Sequence, residues 1–516
     1  MGAPGWDDEY DVVVAGSGAG AMAGALTAAS AGLRTAVLEK TGLLGGTSAY
    51  SGSAIWLPGT RVQERAGIGD SAGAARAYLR VLLGDGAAAH REAFLETAPE
   101  LVDFLEADPA IEFEFRPFPD YFDAPGRLDM GRSFVPLDLP VERLGERAGL
   151  VRPPVDRDRT GRGHSSKPMA QGRALIGRLL LALTATGNGA VRTRTPLTGL
   201  IMEGGRVAGV EAGGLRLRAA RGVLLAAGGF ESSAALRTGR GVPGDARWTM
   251  APDGANTGDA IEAAVRVGAS TGLLDQAWFC PGLLTPDGRP AFTLGFRGGL
   301  IVDGSGRRFA NESLPYDRMG RRMAASEGPF HLIFDSRTPG LPALSVPPLA
   351  ADEQRASGAW VEAGTLDELA AKTGLPADAL TRTVERFNGF ARKGVDEDFH
   401  RGEDPYDLFF TGGKPCLIAV DEPPYVAAEI VLSDLGTKGG LRTDPDGRVL
   451  DGADRPIPGL YAARQHQRLV HRARLSGAGH PDRIGDGVRL PRRPGHETAE
   501  RVTCACGPST WGGAAA

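Results

Sequence analysis

Short apolar runs that end in glycine alternate with alanine-rich amphipathic stretches along the first half of the chain. Asp11-Val12-Val13-Val14 reads as a buried parallel strand, a β-branched run stopped by glycine. Residues 20–32 read as a helix closed by Gly32, and Thr35 to Leu38 as a second strand ending at Glu39. Residues 61–110 carry helical periodicity and 111–170 read as irregular. Gln171 to Leu183 is amphipathic, and short strands are predicted at 189–193, 198–202, 206–211 and 215–217. Val223-Leu224-Leu225 is a further buried strand, entering the turn Ala226-Ala227-Gly228-Gly229. Residues 278–435 have their own strands, helices and many prolines, and read as a second domain inserted into the first.

The pattern predicts an α/β chain in four stretches. Residues 9–277 and the return segment 436–463 form a Rossmann-like nucleotide-binding domain, 278–435 an inserted α+β catalytic (cap) domain, and 464–516 an aberrant tail.

Composition narrows the class. With 516 residues the chain can bury two sizeable cores. A net charge of -5 gives no reason to expect nucleic acid or an anionic membrane as partner. No apolar run reaches the roughly 18–20 residues that span a bilayer, and MGAPGWDDEY lacks the features of a signal peptide. Cys280, Cys416, Cys504 and Cys506 have no metal-ligand spacing, so unpaired thiols and a cytoplasmic location are expected.

The first glycine turn carries chemistry. Gly16-Ser17-Gly18-Ala19-Gly20-Ala21 is a GxGxxA dinucleotide fingerprint. Gly16 permits the tight turn, Gly18 lets the backbone approach a pyrophosphate, and Ala21 keeps the helix close to the sheet. Helix amides and the positive dipole end face the phosphates. Glu39, 21 residues after Gly18, can accept the ribose hydroxyls, with Lys40 beside it. The loop Gly45-Gly46-Thr47-Ser48, with Ser51-Gly52, offers small residues and hydroxyls around a flavin's pyrophosphate and ring, which selects FAD. Ala227, Gly228 and Asp259 (the last opening a helix after Asn256-Thr257-Gly258) complete the expected FAD contacts. Phe113, Phe115, Phe118, Tyr121 and Phe122 either pack a core or wall a flat apolar ligand site.

Together these segments resemble the fumarate reductase/succinate dehydrogenase flavoproteins and, within them, the 3-ketosteroid Δ1-dehydrogenases. The general motifs are GSGAGA, LEK, GGTSAYSG, LLAAGGFE and NTGDA. The steroid branch is indicated by DQAWFCP, GRRFANESLPYDR, HLIFD, DLGTKGGL and IPGLYAA. The resemblance implies an oxidoreductase that removes two hydrogens from the steroid A-ring (C1–C2), a base taking a proton from C2 and flavin N5 a hydride from C1. Tyr316 stands where the family's base stands, and Tyr121 where its supporting tyrosine stands. A tyrosine ordinarily titrates near 10 and needs such help at neutral pH. The alternative for each is a packing tyrosine, a reading that weighs more for Tyr121 than for Tyr316. No histidine occurs in the 45–52 loop, so noncovalent FAD is expected, with a steroid substrate and an electron acceptor as partners. His164 and His331 read as structural. Alternatives in the same fold are Δ4 dehydrogenation of a 5α-steroid, a dicarboxylate substrate, or an inactive flavin-binding product.

After Ala463 the resemblance stops. Residues 464–516 hold nine Arg, no Lys, no Phe, four of the eight His and two of the four Cys. Reading the last two bases of each codon with the first of the next permits Gly-Asn-Thr-Ser-Ala-Ser at 464–469. The same reading permits Gly-His-(Gly or Ala)-Tyr-Pro-Gly-Pro-Gly at 472–479, like the family's segment over the flavin ring. One extra nucleotide near codon 464 accounts for this. The family's carbonyl-polarising tyrosine and glycine would then fall at Leu475 and Gly479, which predicts an impaired chain because leucine cannot donate a hydrogen bond.

Overall fold

The computed structural model describes residues 5–338 and 342–463. β1 (Asp8–Ala15), α1 (Ala19–Ser30) and β2 (Thr35–Leu38) form the leading βαβ unit. Val13, Val14 and Val37 of the two strands are fully buried, each contributing about 1.5–3 kcal/mol of apolar burial. α1 runs AGAMAGALTAAS with every residue from Ala19 to Ala29 buried. Alanine favours the helix, and its small side chain allows close approach to the sheet.

The first sheet has eight strands. Its main order is Arg448–Leu450, Pro456–Ala462, Leu215–Leu225, β1, β2, Gly189–Arg192, with the hairpin Leu197–Glu203 and Arg206–Ala212 attached to Leu215–Leu225. β1 pairs in parallel with β2 and with Leu215–Leu225, and Pro456–Ala462 pairs in parallel with the latter. The carboxyl ends of these strands therefore meet on one edge, with crossovers leaving in opposite directions, the geometry that opens a ligand crevice in such sheets. Ala463 ends at this edge, its amide donating to Leu225 O at 3.0 Å.

A second, seven-stranded sheet is antiparallel throughout. Its main order is Leu300–Val302, Phe330–Phe334, Tyr425–Thr437, Ala277–Leu284, Pro290–Leu294, Leu344–Val346, and Trp360–Ala363 also pairs with Tyr425–Thr437. Tyr425–Thr437 leads back to the first sheet's region, where Gly440–Leu441 pairs with Thr271–Gly272. One hydrophobic core joins the two layers, for it contains Val14, Met22 and Leu224 together with Tyr121, Cys280, Phe292, Tyr316 and Tyr406.

Several elements differ from the sequence reading. The expected strands at 215–217 and 223–225 are one strand, Leu215–Leu225, running through Gly222. A Cβ at Gly222 would stand 3.0 Å from Gly459 O and from the Tyr461 ring, so a larger residue would have to push the neighbouring strand aside. Residues 111–170 contain the strands Phe113–Phe115 and Ser133–Pro136, which pair with each other, and the helix Val155–Arg159. The second glycine loop is mostly the short helix Gly46–Tyr50, entered through Gly45 at φ 105°.

Candidate active site

A cleft of about 880 Å³ opens where the strand ends converge, lined by the glycine turn, Glu39, Lys40, Gly45–Ser48, Ala226–Gly229 and Ala255–Ala260. Gly16 has φ 106°, and a Cβ there would lie 2.4 Å from Ala226 O. Only glycine lets the two strand-end turns meet this closely. α1 starts at Gly18 with no side-chain cap and no acid in its first turn. With no acid there, its positive end suits an anion such as a pyrophosphate.

Ser17 ties the cradle together. Its hydroxyl donates to Glu39 Oε2 and accepts from Gly45 N at 2.9 Å. Glu39 Oε1 accepts from Thr41 N at 2.7 Å and Thr41 Oγ1 at 2.8 Å. The carboxylate is thus oriented from both sides, and its remaining lone pairs suit ribose hydroxyls. Ser48 Oγ accepts from Ala19 N at 3.1 Å, fixing the second loop against the helix start. Lys40 Nζ donates to Thr257 and to Asp259 Oδ2, the latter at 2.7 Å. These two predicted contacts therefore close one side of the cleft on each other. Gly46, Thr47, Gly20, Ala21, Ala227 and Gly228 line the cleft, whereas Ser51 and Gly52 are not among its lining residues. Ser51 Oγ donates to Ser48 O at 2.7 Å and supports the loop from behind.

A buried acid that the sequence reading did not single out joins these parts. Glu231 has no exposed surface. Its Oε1 accepts from Asn256 Nδ2, which also reaches Thr47 Oγ1 at 3.2 Å. Its Oε2 accepts from Thr437 N and Oγ1, both at 3.1 Å. Burial, and then the neighbouring Asp434, push this carboxyl above its ordinary range. The residues lie in the quoted motifs LLAAGGFE, NTGDA and DLGTKGGL, but their convergence is tertiary. Together the glycine cradle, the acid-free helix start and the oriented Glu39 fit FAD.

The two predicted tyrosines are brought together. Tyr121 and Tyr316 are 9% and 1% exposed, and their ring centroids lie 6.0 Å apart with planes at 79°. Phe292 meets Tyr316 edge-on at 4.8 Å and Trp278 stacks parallel to it at 6.3 Å. Phe118 and Phe122 flank Tyr121 at 5.7 and 6.2 Å. Tyr121 is held by its neighbours: Asp120 accepts from Trp56 Nε1 at 2.7 Å and from Leu128 N at 3.0 Å, and it pairs with the fully buried Arg132. Phe122 N donates to Tyr78 Oη at 3.2 Å. Tyr316 opens the helix Tyr316–Ala324. The loop before it is fixed by Glu312, which accepts from Arg308 and Arg401.

The histidines sit apart from this wall. His164 Nε2 bonds Val151 O at 2.6 Å, and burial lowers the basicity of His331, which lies within the strand Phe330–Phe334. Cys280 and Cys416 are buried thiols outside any disulfide. Among the described residues no cluster of His, Cys, Asp and Glu could hold a metal ion, and no helix is long and apolar enough to cross a membrane. Leu475, Gly479, Cys504 and Cys506 lie outside the described residues.

A dinucleotide cradle at the sheet edge, in a fold whose one core also holds an aromatic cluster with two tyrosines, fits a flavin-dependent oxidoreductase. The chain matches the FAD binding domain family over residues 11–477. It is 42% identical over 493 residues to the 3-oxosteroid 1-dehydrogenase of Rhodococcus opacus, an alignment that covers 89% of this chain and 93% of the relative. It is 36% identical over 524 residues to the 4-oxocyclohexanecarboxylate 2-dehydrogenase of Sinomonas cyclohexanicum, covering 91% and 90%. The crystal structure of 3-ketosteroid Δ1-dehydrogenase from Sterolibacterium denitrificans, in complex with 1,4-androstadiene-3,17-dione, superposes with a TM-score of 0.79 at 31% identity, covering 89% of this chain and 94% of that one. The chain belongs to the 3-oxosteroid 1-dehydrogenase family of FAD-dependent oxidoreductases, which act on CH–CH bonds.

Proposed function

We propose that this chain is built to dehydrogenate the A-ring of a 3-ketosteroid at C1–C2, with Tyr316 as the base and Tyr121 as its support. The observation that carries the reading is the buried, edge-to-face approach of these two tyrosines inside an aromatic wall. Flat apolar rings suit such a wall, whereas a small dicarboxylate would need cationic groups lining it. Noncovalently bound FAD supplies the two-electron oxidation. The chain's own residues do the rest. The cradle from Gly16 to Ala21 receives the pyrophosphate, Glu39 the ribose, and Gly46–Ser48 the region toward the ring. Phe118, Phe292 and Trp278 orient the substrate and exclude water. Tyr316 takes the C2 proton as its phenolate, and Tyr121 lowers the pKa of Tyr316 or relays the proton it receives. Residues 278–435 act as the cap that brings Tyr316 to the first domain. A separate electron acceptor reoxidises the enzyme in the cytoplasm.

We further propose that a shifted reading frame near codon 464 impairs this chain. Ala463 lies against α1, where an ideal Cβ on Gly20 would come within 4.0 Å of the Ala463 Cβ. The change in sequence therefore begins beside the cleft.

The test is to express the chain and a frame-restored form, record flavin spectra, and assay a steroid panel with an artificial electron acceptor. Turnover of 4-androstene-3,17-dione by the restored form, lost by more than about 100-fold in Tyr316→Phe, is the expected result. A restored form that binds FAD but oxidises no 3-ketosteroid sinks the reading. Turnover of 4-oxocyclohexanecarboxylate instead would favour the cyclic keto acids oxidised by the Sinomonas relative. Independent DNA reads with an uninterrupted frame through codon 464 would refute the shift.

A further inference from the structure

The two tyrosines lie on loops 195 residues apart in sequence, and one short helix grips both. Pro405–Phe409 is capped by Asp404, whose carboxylate accepts from Tyr406 N at 2.8 Å. The same carboxylate receives a two-pronged contact from Arg127, Nη1 at 3.0 Å and Nη2 at 2.6 Å, on the loop that carries Tyr121. Three residues on, Asp407 accepts from Asn311 Nδ2 at 2.9 Å, in the loop that carries Tyr316, and from Gly402 N at 2.8 Å. Between the two acids Tyr406, 2% exposed, sets its ring edge-on to Tyr121 at 5.5 Å and 83°, and to Phe118 at 6.2 Å and 77°.

We propose that this helix is a clamp that sets the separation of Tyr121 and Tyr316, with Asp404, Tyr406 and Asp407 as positioning residues for proton abstraction. The inference rests on the reading of the two tyrosines given above. Ring contacts are only loosely directional, so the Tyr121–Tyr316 pair can slide or tilt with little change in contact area. A forked guanidinium–carboxylate pair fixes distance and angle together, and so pins the Tyr121 loop to the helix. Asp407 pins the other loop through a buried amide. The chain thus closes a three-sided frame of Arg127 to Asp404, Asp407 to Asn311, and Tyr406 against Tyr121. Proton transfer is sensitive to this frame because a misplacement near 1 Å can cost about 100-fold in rate. The Arg127–Asp404 pair is partly buried, its side chains 10% and 33% exposed, and its fork holds the position of the loop.

The test uses the full chain labelled with 3-fluorotyrosine and read by fluorine NMR. Tyr121→Phe and Tyr316→Phe assign two of its eight tyrosines. Asp404→Ala and Asp407→Ala are expected to shift both assigned signals while those of Tyr10 and Tyr461 stay in place. Asp407→Asn, which keeps an acceptor oxygen, should restore them. With a ketosteroid as substrate, the alanine variants of the active form should lose about 10- to 100-fold in kcat with KM within about twofold. Tyr406→Phe should keep the signals of the other two tyrosines and Tyr406→Leu should move them. Unmoved Tyr121 and Tyr316 signals in Asp404→Ala overturn the clamp. Unchanged kcat does the same. Signals that move in a frame-restored chain that binds FAD but turns over no ketosteroid support the clamp and count against the substrate reading alone.

Discussion

Glu312 offers the sharpest test of how the Tyr316 loop is held. Its side chain has no exposed surface and accepts four hydrogen bonds: Arg308 Nε at 2.8 Å, Arg308 Nη2 at 2.8 Å, Arg401 Nη1 at 3.1 Å and Ile301 N at 3.1 Å. Arg308 and Arg401 are themselves 4% and 0% exposed at the side chain. Arg401 also donates to Gly299 O at 2.6 Å, Phe296 O at 3.0 Å and Ser313 Oγ at 3.1 Å, and Arg308 pairs with the buried Asp396 at 2.9 Å. Glu312→Ala leaves two guanidinium groups to share one carboxylate that directly pairs with only one of them. Removing one partner from such a buried set costs about 3–5 kcal/mol, mostly as the penalty of uncompensated charge. With a urea m-value of about 3 kcal/mol/M, the midpoint of the transition that unfolds this region should fall by about 1–1.7 M. Arg401→Met should cost less, because Glu312 keeps Arg308. Tryptophan fluorescence follows the transition, since Trp360 packs in the same layer against Phe334 at 5.0 Å. A midpoint within about 0.3 M of the parent would refute the claim that charge compensation holds this loop.

The other predictions concern pH and the cofactor cradle. Burial raises the pKa of Glu312, but Arg308 and Arg401 outweigh it and hold the carboxyl below its ordinary range; Asp396 is likewise lowered, burial there being outweighed by Arg308. Groups depressed on folding contribute stability that is fully present above their unfolded values of about 4 and is lost as pH falls below them. The melting temperature should therefore drop below pH 4, with no pH dependence from these groups between pH 5 and 8, and Glu312→Ala should flatten that drop. Gly16→Ala, which drives a Cβ to 2.4 Å from Ala226 O at φ 106°, should yield protein purified without flavin colour. Ser17→Ala removes the hydroxyl between Glu39 and Gly45 N, and should weaken FAD binding by about 10-fold in a fluorescence titration.

The sequence by itself determined the local parts. A β-branched run, a GxGxxA turn, an alanine helix and a strand ending in Glu39 specify the βαβ unit. Each of these is a short-range rule about sterics and hydrogen bonding, and the structure places Thr35–Leu38 at the predicted residues. Tyr121 and Tyr316 were legible only through motifs that resemble a family, because an aromatic residue in a loop looks the same whether it packs or reacts. Tertiary structure alone decided their 6.0 Å approach, the union of Glu231 with Asn256 and Thr437, and the passage of one strand through Gly222. Asp404 and Asp407 carried no signal at all, since the value of each lies in a partner 277 and 96 residues away. Local patterning fixes which side chains turn inward. Which of them meet depends on how the strands cross between two sheets, and no spacing along the chain encodes that.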